Sequence, residues 1–225
     1  MSQLKIIIGN KRYSSWSLRG WLAVQHTGLS FEEVLLRLDT PSFYEEIEKV
    51  SPARKVPTLI DSDSVVWDSA AIIDYCARLA PSKYWWPDDD AAYAHARSIF
   101  NEMHSGFNEL RTHMPMNLKD HWSNLTFSEA LQKDITRVET LFTECRARFG
   151  GDGAFLFGDF SAVDMMFAPV ATRLDTYGVV LNSTARAYVD AVLAYGPFKS
   201  WKEDALLESE IVAVDQLAKG VKHLG

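Results

Sequence analysis

Strand patterns in this 225-residue chain are concentrated before Pro81, and helical patterns take over after Ala91. That asymmetry divides the molecule into an α/β layer of about 80 residues and a helical remainder. Leu4 to Ile8 is a β-branched run closed by Gly9-Asn10, as suits a buried strand. Ser14, Ser15 and Ser17 then offer N-cap hydroxyls to a helix in which Leu18, Trp21, Leu22 and Val24 recur at helical spacing and Gly28 supplies the stop. Phe31 to Leu38 reads as a second strand, and residues 43–50 as a short helix halted by Ser51-Pro52. Residues 57–60 and 65–67 flank the polar turn Asp61-Ser62-Asp63-Ser64 and predict a hairpin, followed by a helix over 69–79. The βαβ part should be right-handed.

Between Pro81 and Asp90 the helical period lapses, and two prolines precede an acidic run. Residues 82–91 are therefore expected to link an N-terminal domain (1–81) to a helical bundle (92–225). Within the bundle, one helix is expected from Ala91 to about His113, broken near Met114-Pro115. Thr126-Phe127-Ser128-Glu129 fits a capping box opening a helix to Phe149, with Gly150-Gly151 as its end. Ser161-Ala162-Val163-Asp164 predicts a second box, opening a helix through Leu174 with a kink at Pro169. Residues 184–195 and 206–219 read as further helices.

Composition narrows the function classes. Asp plus Glu exceed Lys plus Arg by 30 to 23, a formal charge of -7, which argues against broad binding to nucleic acid or anionic membranes. No apolar run approaches the length of about 18 residues that a membrane helix needs. Met1 leads into a strand pattern without a signal-like segment, so a soluble cytoplasmic protein is expected. Cys76 and Cys145 lie far apart in helical patterns and read as buried free thiols of a reducing compartment. The six histidines include no pair four residues apart, so no metal is expected. Gly-x-Ser-x-Gly, phosphate-loop and Cys-x-x-Cys motifs are missing, and Gly151-Asp152-Gly153 follows a helix rather than a strand.

Three features then coincide: Ser14-Ser15 between the first strand and helix, Val56-Pro57-Thr58-Leu59 entering the hairpin, and Trp67-Asp68-Ser69 leading into a helix. Together with Gly158-Asp159-Phe160-Ser161-Ala162-Val163-Asp164, this set resembles the cytosolic glutathione transferase family over almost the whole chain. The resemblance implies a thioredoxin-like N-terminal domain followed by an all-α bundle, glutathione as co-substrate, a small electrophile as second substrate, and a homodimer. Ser14-Ser15-Trp16-Ser17 looks closest to the serine-type, zeta-like members, which carry Ser-Ser-Cys-Ser; here Trp16 replaces the cysteine. The segments 102–107 and 114–117 look like a bacterial subgroup of the family.

The chemistry implied is activation of a thiol. A free thiol of pKa near 8.5 is only about 3% ionised at neutral pH, and lowering that pKa by roughly 2 units takes about 2.7 kcal/mol. A hydrogen bond to a charged group supplies about 1.5–3 kcal/mol and a helix N-terminus about 0.3–1 kcal/mol, so a hydroxyl donor is sufficient without a general base. Ser14 and Ser15 are both candidates. The family match implies that Val56 offers its main chain to glutathione across a cis Val56-Pro57 bond, and that Trp16 borders the tripeptide. Lys55 is a candidate for the glycine carboxylate. Asp68 is one for the α-ammonium, and Ser69 with its helix N-terminus for the γ-glutamyl carboxylate. The second substrate is expected between the domains, among Tyr13, His104, Phe107, Arg111, Met114 and Met116. Competing readings are a glutathione-dependent isomerase of a maleyl-type diacid, using Arg19, Arg111 and Arg173, and a non-catalytic interaction module.

Overall fold

The computed structural model describes residues 4–217 and 223–224. Strands β1 (Leu4–Ile8), β2 (Phe31–Leu35), β3 (Thr58–Asp61) and β4 (Ser64–Val66) form one sheet in the order β2-β1-β3-β4. β1 and β2 are parallel, while β3 and β4 make the antiparallel hairpin. Helices α1 (Ser15–Thr27), α2 (Pro41–Val50) and α3 (Ser69–Leu79) complete this mixed layer. Being central, β1 is covered on both faces, which is why its run is apolar rather than alternating. Leu4, Ile6 and Ile8 join the main core, whereas Ile7 packs with Phe43 and Ile47 of α2 on the opposite face.

The remainder is built from α4 (Asp90–Ser105), α5 (Asn108–His113), α6 (Glu129–Phe149), α7 (Ala162–Thr176), α8 (Ser183–Ala194) and α9 (Gly196–Leu207). Every residue of α7 except Asp175 is buried, so the bundle closes around this helix. Its capping box forms: the Asp164 carboxylate accepts from the Ser161 N–H at 2.9 Å and hydroxyl at 2.8 Å. Pro169 lies inside α7 without ending it. α1 packs against both α3 and α7, and one core runs from Leu18 and Trp21 through Met103 to Phe167. No helix among the described residues is long and apolar enough to cross a membrane.

Several expectations are corrected. The helix expected over 91–113 is two, because Gly106 ends α4 where a Cβ would meet the Glu102 carbonyl at 2.8 Å. Phe107 follows in the left-handed region at φ 59, and the Arg111 guanidinium collects the freed carbonyls of Met103, His104 and Gly106. The N-cap of α6 is Ser128, not Thr126, because Thr126–Phe127 form a short strand (β5) beside His223–Leu224 (β6), 97 residues on at each pair. The helix expected over 206–219 does not form. Instead α9 occupies 196–207, with Pro197 in its first turn, and an extended segment follows, interrupted by a 3₁₀ turn at Ala213–Asp215. Residues 218 and 219 of that expectation lie outside the described residues.

Candidate active site

The loop from β1 to α1 folds back on itself, with the Tyr13 and Ser14 N–H groups both bonded to the Asn10 carbonyl. This places Ser14 as N-cap of α1, accepting from the Ser17 N–H at 3.3 Å. The Ser14 hydroxyl donates to Ser17 Oγ at 2.7 Å, and that oxygen also accepts from the Gly9 N–H at 3.0 Å. Ser14 lines the cleft beside Ser15, but its hydroxyl proton is committed to Ser17. Ser15, the first residue of α1, lines a cleft, and its hydroxyl has no protein partner among the described residues.

Facing Ser15 is the turn between α2 and β3. Ser51 and Thr58 hydroxyls both donate to the Lys55 carbonyl, at 2.9 and 3.0 Å, and fix this turn from beneath. The Val56-Pro57 bond is cis, as the resemblance implied. Among the described residues neither the N–H nor the C=O of Val56 enters a hydrogen bond, so an extended ligand can pair with it. The exposed Lys55 side chain stands beside it.

Two clefts meet along Trp16, Lys55 and Val56. The smaller, about 210 Å³, runs to Trp67, Asp68 and Ser69. Asp68 caps α3 through the Ala70 N–H at 2.9 Å, while its second carboxylate oxygen contacts His104 Nε2 at 2.8 Å. Ser69 is fully buried with an unpartnered hydroxyl at the same helix N-terminus. Hydroxyl and free N–H groups together suit a carboxylate.

The larger cleft, about 390 Å³, is bounded by Tyr13, Ser14, Ser15 and Trp16 on one side and by Arg111, Pro115, Met116 and Arg173 on the other. Of the candidates for the second substrate, Tyr13, Arg111 and Met116 come together here. His104 stands at the Asp68 rim with its ring edge-on to Trp16. Phe107 and Met114 pack into the main core instead, since each faces the bundle side of its turn. Leu38, Phe43, Arg54 and Asp215 also line this cleft and carried no signal in the sequence.

Two guanidiniums flank Trp16, and a third, that of Arg173, lines the same cleft. Arg19 is fully buried, donates from Nε to the Met166 carbonyl at 2.9 Å and leaves both terminal nitrogens unpartnered. Its guanidinium lies 4.6 Å from the Trp16 ring centroid, and that of Arg111 lies 4.9 Å away. Arg173, 4% exposed, donates from Nε to the Met114 carbonyl at 2.6 Å and leaves Nη1 unpartnered. Among the described residues none of the three has a carboxylate within ion-pair distance. Burial and mutual repulsion lower the pKa of Arg19 well below its usual range, and burial followed by the Arg111 charge pulls Arg173 down to about 10. Buried cations without partners make this corner receptive to anions.

The family model described as glutathione S-transferase, N-terminal domain, matches residues 13–79, and that described as glutathione S-transferase, C-terminal domain, matches 128–201. A probable maleylacetoacetate isomerase of Caenorhabditis elegans is 24% identical over 179 residues, 78% of this chain and 84% of the relative. The fold is that of a glutathione transferase homologue from Burkholderia solved with bound glutathione, at TM-score 0.67 and 21% identity, covering 91% of this chain and 98% of the other. It is also that of a maleylacetoacetate isomerase from Anaeromyxobacter dehalogenans, at TM-score 0.65 and 21% identity over 94% and 95% of the two chains.

Proposed function

The chain belongs to the glutathione S-transferase family and is a glutathione transferase, and we propose that Ser15 is the residue that holds the sulfur of glutathione as thiolate. The observation that supports this is the free Ser15 hydroxyl at the start of α1, in the same cleft as the unpaired main chain of Val56. A hydroxyl there donates to sulfur beside the positive end of the helix, and both effects favour the anion. In this reading Val56 pairs with the cysteinyl unit, and Asp68 takes the α-ammonium. Ser69 and the α3 N-terminus take the γ-glutamyl carboxylate, Lys55 the glycine carboxylate, and Trp16 borders the sulfur.

The thiolate then attacks an electrophilic carbon in the larger cleft. The new S–C bond forms as a leaving group departs, or as the adjoining carbon takes a proton from water. Met116, Pro115 and Tyr13 supply an adaptable apolar wall. A homodimer belongs to the same reading, supported by the exposed Val65 and Trp67 side chains beside Asp68. A cytoplasmic setting agrees with two reduced, buried thiols.

One observation favours a second reading. Arg111 and Arg173 line the larger cleft without a carboxylate within ion-pair distance among the described residues, and two such cations suit a diacid, as a glutathione-dependent cis-trans isomerase would require. Calorimetric titration with glutathione tests the shared premise, and failure to bind would remove both readings. Product analysis separates them: glutathione is consumed by transfer and returned by isomerisation.

A further inference from the structure

After α9 the chain runs back along the loop before α1 as an extended strap, residues 208–217, which reaches the larger cleft at Asp215. Glu208 accepts from the Lys11 N–H at 2.6 Å and the Arg12 N–H at 3.2 Å. Glu210 pairs with Arg37 at 2.7 Å, Val212 is 3% exposed, and Gln216 donates to the Tyr13 hydroxyl at 2.6 Å. Four anchors therefore hold the strap, and between the last two it delivers the Asp215 side chain into the cleft wall.

Resting on the reading of this cleft as the second-substrate site, we propose that Asp215 is a specificity-determining residue, an internal counter-ion that offsets Arg173 and thereby sets how well an organic anion competes for the cleft. Arg173 and Asp215 line the same cleft without an ion-pair contact, so the two charges act on each other across it. Arg173 lines the cleft and has no carboxylate within ion-pair distance among the described residues, so its charge is left to a carboxylate that enters. An ionised Asp215 partly cancels that attraction; a neutral residue leaves it to the substrate.

The other charged and titratable groups around Asp215 are Asp39 from the loop before α2, Tyr13 from the loop before α1, and Tyr177 at the end of α7. Arg111 and, at the rim, Arg54 and Lys55 complete the cleft wall. Burial pushes the Asp215 carboxyl up to about 6, with Arg173 opposing the rise and Asp39 adding to it. Asp215 therefore changes charge in a range where the arginines and tyrosines do not. Lower pH makes the cleft more receptive to anions.

The test uses two S-aryl conjugates of glutathione that share a 2,6-dinitrophenyl ring and differ only at its 4-position, a free carboxylate in one and its methyl ester in the other. Their affinities are measured by calorimetry for the full chain and for Asp215→Asn. In the wild type the carboxylate-to-ester affinity ratio should fall about tenfold as Asp215 ionises, a coupling of one pKa unit. In Asp215→Asn the ratio should stay at its low-pH level across the same range. The wild-type profile stands alone should the variant fail to fold. A ratio that is independent of pH in the wild type, or that titrates equally in Asp215→Asn, overturns the role of Asp215. Failure of both conjugates to bind a folded wild type instead removes the glutathione reading on which the role depends.

Discussion

The hydroxyl of Ser14 donates to Ser17 Oγ across 2.7 Å, while that of the adjacent Ser15 has no protein partner among the described residues. Ser14 has no hydrogen left to give, whereas Ser15 does. Ser15→Ala should therefore raise the pKa of bound glutathione by a unit or more, a loss of about 1.4 kcal/mol. Ser14→Ala should leave that pKa in place and remove an N-cap, lowering stability by about 1 kcal/mol. Thiolate absorbance followed against pH, with a thermal melt of each variant, reads both. A shift caused by Ser14→Ala alone would reverse the assignment.

Lys11 clamps the domains. Its ammonium, 5% exposed, meets Glu33 at 2.8 Å and Asp204 at 2.6 Å and lies within 5.3 Å of the Trp21 and Trp201 rings. Because both carboxylates reach solvent, Lys11→Met should cost about 1–2 kcal/mol, below the range for a fully buried pair. Urea unfolding measures this. A cost under a few tenths of a kcal/mol would mean that the apolar stem carries the contact.

Asp164 gives a pH dependence of stability. Full burial pushes its carboxyl up to about 6 from 3.8, despite the opposing bonds from Ser161 and Leu156. A raised folded pKa means that the native state holds this proton more tightly than the unfolded chain. Its contribution is complete below about pH 4 and is lost as pH rises through about 6. Asp164→Asn should remove that slope, gaining about 1–3 kcal/mol on the wild type between those limits. Denaturant titrations at several pH values check this, and parallel curves for the two proteins would contradict it.

Cys76 and Cys145 are both fully buried, and burial pushes each thiol up to about 12. Neither should react with iodoacetamide in the native protein, and both should be alkylated once it is unfolded. Mass spectrometry of the labelled chain decides. Native labelling of either cysteine would show that its helix opens.

Local features were legible in the sequence. The limits of β1, α1 and α3 follow from Gly9, Gly28 and the Asp68 cap, because each is settled within a few residues. The cis Val56-Pro57 bond was implied by the family resemblance and not by neighbouring residues. Contacts distant in sequence were not legible. Nothing near Thr126 signals that His223 will pair with it. Phe107 matches an apolar helix position, yet its backbone turns left-handed once Arg111 supplies donors for the carbonyls that the break exposes. At the site, Ser15, Val56 and Asp68 were accessible as motif positions, and Arg111 as a charge on a helix. Asp215 reaches the cleft only because Glu208 and Gln216 anchor the strap to Asn10–Tyr13, about 200 residues earlier, and no spacing rule reads that distance.

That α1 rests on α7 has a consequence for how new specificities arise in this chain. Chimeras that graft another protein's C-terminal half onto residues 4–79 would exchange the surface supporting Arg19, and with it the tilt of the helix that carries Ser15, the residue proposed to hold the sulfur. Selection for a different electrophile acts through the bundle, yet it perturbs the nucleophile as well. Variation at Asp215 avoids that penalty, since that residue lines the cleft between the anchors that Glu208 and Gln216 make to the loop before α1.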